Sequence, residues 1–118
     1  MTKRERLHAK FGGKCAYCGQ ILKANFHIDH ADPLFRNWIV GKPEWAGTDE
    51  ESNLVPACPR CNLRKSALSI AAFRAEIAAQ VSRLRRDSAA FRLAEDYSLI
   101  GVTGRDVVFW FEKYKAKP

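Results

Sequence analysis

Four cysteines and one histidine-rich run are the residues of this 118-residue chain whose types and spacing suit metal and acid–base chemistry. The cysteines form two C-x2-C pairs, Cys15-Ala-Tyr-Cys18 and Cys58-Pro-Arg-Cys61, with none left over. Two such knuckles supply the four thiolates of one tetrahedral zinc site. Buried thiols or two redox pairs are the other readings of the same spacing. Disulfides are disfavoured in the reducing compartment expected for this chain. Four thiolates and one Zn²⁺ would lower the formal charge of +7 by two. Arg60, Arg64 and Lys65, beside the second knuckle, would offset that local negative charge.

Between the knuckles lies His27-Ile28-Asp29-His30, and around the second lie Asn53-Leu54-Val55 and Asn62-x2-Lys65. Phosphodiester hydrolysis needs an activated water, charge neutralisation at phosphorus and help for the leaving oxygen. An imidazole, with an ordinary pKa of about 6.5, can take a proton from water at neutral pH. A hard cation such as Mg²⁺ prefers oxygen ligands and keeps several waters. Asp29 offers a carboxylate, and Asn62 offers a neutral amide oxygen from a helix start. Each residue also has a plainer reading: His30 as a surface histidine, Asn62 as a helix cap, Asn53 as a turn residue. His27 shares a strand face with Asp29, so a third metal ligand there stays open. Lys65 could meet phosphate or the thiolates. His8 falls in a helical segment and is expected to be solvated.

The full order is C-x2-C, Asp-His, Asn-Leu, then C-x2-C-Asn-x2-Lys. This pattern resembles the HNH endonuclease family, in its HNN form with zinc knuckles, from Cys15 to Lys65. The resemblance implies a ββα-metal core, a hairpin and a helix gripping one divalent ion. It implies His30 as general base, Asn53 as a brace for the loop and the base, and Asp29 and Asn62 as ligands of the catalytic ion. It also implies DNA as substrate, with 5′-phosphate and 3′-hydroxyl products. Two positions depart from branches of the family. Asn62 stands where the HNH form proper has a histidine. Ser66 stands where colicin-type members add another. With two protein ligands left, the resemblance points to Mg²⁺ or Mn²⁺ held partly by DNA phosphate.

These side chains need elements to position them. Residues 2–11 suit a short helix ending at Gly12-Gly13, and Gly19 permits the tight turn after Cys18. Residues 20–30 alternate roughly and suggest a short hairpin. Residues 31–52, with two prolines, Trp38, Trp45 and the acidic run Asp49-Glu50-Glu51, read as a loop folded in part around its tryptophans. A short helix fits 60–67. Ile70, Phe73, Ile77, Val81 and Leu84 mark one amphipathic helix that Ser69 could cap. Asp87-Ser88 breaks or re-caps it, and a shorter helix carries Phe91, Ala94 and Tyr97. Gly101 and Gly104 bracket a turn. The β-rich run 107–111 suggests a strand, and a basic tail follows from Lys113. The expected architecture is α+β: a small zinc-stapled ββα-metal core at 1–68, and a helical extension at 69–118 ending in a short strand and packed on the same core.

The balance of 20 Lys+Arg against 13 Asp+Glu favours an anionic partner. Basic residues cluster at 1–14, at Arg60, Arg64 and Lys65, and at Arg83, Arg85, Arg86 and Arg92. Each cluster could track a phosphate backbone. No run approaches the ~20 apolar residues of a membrane span. The charged N-terminus lacks the apolar core of a secretory signal, so a cytoplasmic location is expected. The sequence therefore suggests a metal-dependent DNA endonuclease. The rivals are a zinc-stapled module that binds nucleic acid without cutting it, and a phage-like assembly factor on the same scaffold.

Overall fold

A computed structural model describes residues 1–36, 44–45 and 47–115. By contact density they form two compact units, residues 1–70 with 108–118 and residues 71–107.

The first unit opens with α1, Lys3–Ala9. Thr2 caps it through a reciprocal box with Glu5, and Leu7 is its buried residue. The helix stops where expected, because Gly12 and Gly13 take φ of +73° and +77°, values that L side chains avoid. Arg4 lies over the Phe26 ring at 3.8 Å and donates to the carbonyls of Ala24 and Phe26. His8 is half-buried rather than solvated, with its ring 5.4 Å from that of Phe26.

The central hairpin differs from the expected one. Strand β1, His27–His30, pairs antiparallel with β4, Leu54–Ala57, and not with residues 20–26. The register sets His30 opposite Leu54 and Asp29 opposite Val55. All four β4 residues are buried, which gives β1 a more apolar partner than its own neighbours could. Residues 20–26 contribute one isolated bridge, Lys14 to Ile21, and bury Leu22 and Phe26. A smaller pair, β2 at Phe35–Arg36 and β3 at Glu44–Trp45, lies within the long connection. Trp38 falls outside the described residues.

Helix α2, Pro59–Lys65, follows β4 and packs on both β1 and β4. Pro59 stands at its first turn, where the missing N–H costs nothing. β1, β4 and α2 together make the ββα core.

The run 107–111 is not a strand. Its backbone is irregular through Phe109, and Trp110–Lys113 forms the short helix α6. The Phe109 amide donates to the Glu112 carboxylate, which closes a helical turn. Phe109 is buried, 5.4 Å edge-on from Tyr17. The amides of Trp110 and Phe111 donate to the carbonyls of Tyr17 and Ala16, and the Trp110 indole donates to Phe11. Tertiary hydrogen bonds override β propensity here.

The second unit is helical. The single amphipathic helix expected from Ile70 to Leu84 is two, α3 at Ile70–Ala78 and α4 at Gln80–Asp87, with Ala79 between them. Ser88 caps α5, Ala89–Asp96, accepting from the Phe91 amide. Phe73 is the buried residue of the three helices, while Ile77 and Leu84 are partly exposed.

Candidate metal centre and active site

The two knuckles meet. The sulfurs of Cys15, Cys18, Cys58 and Cys61 all lie within 4.8 Å of one another. Cys18 Sγ is 3.8 Å from Cys58 Sγ, too far for a disulfide and ordinary for two ligands of one ion. Backbone amides face the sulfurs: that of Cys58 donates to Cys15, and that of Cys61 donates to Cys58. A hydrogen bond from Cys61 holds the Cys15 thiol down to about 4, whereas burial pushes Cys18 up to about 11. Four thiols in one cluster fit a tetrahedral ion, and the set is consistent with zinc.

One residue past β1, the chain is tied down by Asn53. Its Oδ1 accepts from the Asp32 amide at 2.9 Å, and its Nδ2 donates to the carbonyls of Asp32 and Thr48 at 2.9 and 2.7 Å. Its own carbonyl accepts from the Ala31 amide at 2.9 Å. This one side chain therefore joins the segment after His30 to the segment before β4.

The neighbour of Thr48, Asp49, lies with Oδ1 2.8 Å from His30 Nε2. His30 keeps 29% of its side chain exposed and Asp49 keeps 76%. The His30 hydrogen bond holds the Asp49 carboxyl below the usual carboxylate range. Sequence reasoning took Asp49 only as part of an acidic loop. Its one signal was proximity to Asn53 in a run of three acids. Glu51 of that run pairs instead with Arg6 at 2.7 Å.

Asp29 faces the other way, into the core. Its Oδ2 accepts from the Tyr17 hydroxyl and lies 3.0 Å from Lys65 Nζ. The same ammonium donates to the His30 carbonyl at 3.0 Å. Burial, then the Asp29 charge, pushes the Tyr17 phenol up. Lys65 was expected on a phosphate backbone or on the thiolates. It is fully buried, so it can reach no DNA, and its partners are Asp29 and His30.

Asn62 is half-buried on α2, three residues before Lys65 and so on the same helix face. It does not cap α2, because Cys58 does. Its side-chain amide makes no hydrogen bond with the described residues. The second carboxylate oxygen of Asp29 and this amide are oxygen donors of the kind a hard divalent ion takes. His27 is exposed.

The other basic candidates divide. Arg60 and Arg64 are exposed on α2. Arg83, Arg85 and Arg86 are paired with Glu76, Glu95 and Asp87. Within 1–14, Arg4, Arg6 and Lys10 bond to their own chain, Lys10 to the Leu54 carbonyl at 2.8 Å. No helix among the described residues is long and apolar enough to cross a membrane.

No curated protein and no solved structure matches the chain. A family model described as HNH endonuclease matches residues 15–68, a span that runs from the first knuckle through β1, Asn53, β4 and α2. Residues 15–68, just under half of the chain, are thus similar to an HNH endonuclease domain, with four cysteines placed to hold a metal ion.

Proposed function

We propose that the chain is a metal-dependent DNA endonuclease that hydrolyses phosphodiester bonds, with His30 as general base. The observation that carries this reading is the bracing of His30, by Asn53 through the backbone and by Asp49 at Nε2. A carboxylate at Nε2 favours the tautomer with its hydrogen there. That leaves the Nδ1 lone pair to accept a proton from water. Asp49 then faces the imidazolium that forms.

Asp29 and Asn62 would hold Mg²⁺ or Mn²⁺, which supplies charge neutralisation at the scissile phosphate and the leaving oxygen. The four cysteines hold one structural Zn²⁺ and keep α2 on the hairpin. Arg60 and Arg64, exposed on the same helix as Asn62, suit contacts to the DNA backbone. Arg83, Arg85 and Arg86 would join them by exchanging carboxylate for phosphate.

Plasmid nicking tests the reading. His30→Ala should lower the rate by roughly 10²- to 10⁴-fold, while metal content and DNA affinity stay near parental. Cleavage by His30→Ala at the parental rate would remove the base assignment. A parent that cuts no duplex or single strand with Mg²⁺ or Mn²⁺ would leave a nucleic-acid-binding module as the better account.

A further inference from the structure

We propose that Lys65 is an internal counter-ion that withholds Asp29 from free divalent metal. The proposal rests on the reading of Asp29 as a ligand of the catalytic ion. The ammonium sits in the core, with none of its residue's surface exposed, 3.0 Å from Asp29 Oδ2. The Tyr17 hydroxyl donates to the same oxygen, so two hydrogens already occupy it. A buried lysine persists as a cation only beside such partners. The pair is close to neutral as seen from outside. An arriving dication therefore meets half the usual lure, a carboxylate whose charge is balanced, and it also meets a fixed positive charge behind that carboxylate.

Asn62 is neutral, and the one cluster of three or more His, Cys, Asp or Glu among the described residues is the cysteine set. Free Mg²⁺ or Mn²⁺ should bind this site weakly, and a phosphate oxygen must complete both the ligand set and the charge. The second bond of Lys65, to the His30 carbonyl, fixes the strand at the residue next to Asp29. Lys65 is thus a positioning residue that acts through Asp29 and His30, with no contact to substrate.

The test is Mn²⁺ titration of zinc-loaded protein, followed by the loss of the free-ion paramagnetic signal. Lys65→Gln removes the charge and keeps a hydrogen-bond donor. It should bind Mn²⁺ at least about tenfold more tightly than the parent. Lys65→Arg, which keeps the charge, should stay near parental. Asp29→Asn added to Lys65→Gln should cancel the gain. A merely structural lysine would give no gain of affinity in any variant. Equal Mn²⁺ affinity in the parent and Lys65→Gln overturns the proposal.

Should Lys65→Gln lose its zinc and unfold, Lys65→Met, which keeps the side-chain length and removes the charge, decides instead. A gain of about tenfold in Mn²⁺ affinity supports the proposal, and parental affinity overturns it. These titrations need no cleavage. A parent that fails to cut DNA would overturn the endonuclease reading, while the Mn²⁺ result still decides the role of Lys65.

Discussion

The two compact units differ in how deeply their cations are held. In the first, Lys65 is fully buried on Asp29 and the His30 carbonyl, while the exposed Arg4 and the half-buried Lys10 donate to the carbonyls of Ala24, Phe26 and Leu54. In the second, Arg83, Arg85 and Arg86 lie on the surface, each beside one carboxylate. Lys65 has fixed partners and cannot change them without rebuilding the core. Surface pairs are screened by solvent and salt and exchange partners readily. A positive net charge therefore overstates how much of this chain is available to an anionic partner. Part of the basic character of the first unit is spent on its own backbone, through Arg4, Lys10 and Lys65.

Metal removal should separate the units most strongly. Ligand-set energies for structural zinc are on the order of 10 kcal/mol, comparable to the whole stability of a small domain. Strong chelation should abolish the cooperative thermal transition of the first unit, and readdition of Zn²⁺ should restore it. Elemental analysis should find one zinc per folded chain. A melt indifferent to chelator would mean that the cysteines hold nothing that matters to folding.

Asn53→Ala tests the brace at the next level of effect. It deletes three side-chain hydrogen bonds in a partly buried setting, at roughly 1 kcal/mol each. Denaturant unfolding should show a loss of roughly 2–4 kcal/mol. Nicking should fall further than stability alone explains, because the segment that carries Asp49 loses its tie to Asp32. A variant with parental nicking would show that Asp49 finds His30 without the brace.

The smallest effect belongs to the second unit. Arg85→Ala with Arg86→Ala should lower the log–log salt dependence of DNA binding by at most about two, near 0.9 per lost phosphate contact. Thermal stability should hardly move. An unchanged slope would take Arg85 and Arg86 out of the DNA interface and leave Arg60 and Arg64, exposed on α2, as the first candidates.

What could be read from the sequence was local. The cysteine spacing, the Gly12-Gly13 stop and the Ser88 cap each depend on residues within a few positions, and each has its expected place in the fold. The family resemblance implies a brace at Asn53, and its side chain bonds to Asp32 and Thr48. What could not be read was non-local. The partner of β1 lies beyond a long connection, and no alternation within 20–30 encodes it. The burial of Lys65 depends on Asp29 and Tyr17, which are far away in sequence. Asp49 meets His30 next to the tie that Asn53 makes between Thr48 and Asp32, which are far apart in sequence. The run 107–111 misled because its amides find carbonyls at residues 16 and 17 rather than a sheet.

That last feature bears on the order of events during synthesis. The final cysteine of the metal set is residue 61, yet the carbonyls of Ala16 and Tyr17 wait for the amides of Phe111 and Trp110. At ribosomal rates, the intervening stretch takes on the order of 2–10 s to make. A nascent chain can thus close its thiolates around an ion while the side of the knuckle that Phe109 will cover is still open. Ion capture can then come first and the aromatic cover second, so the late segment would act as a latch on a site already loaded.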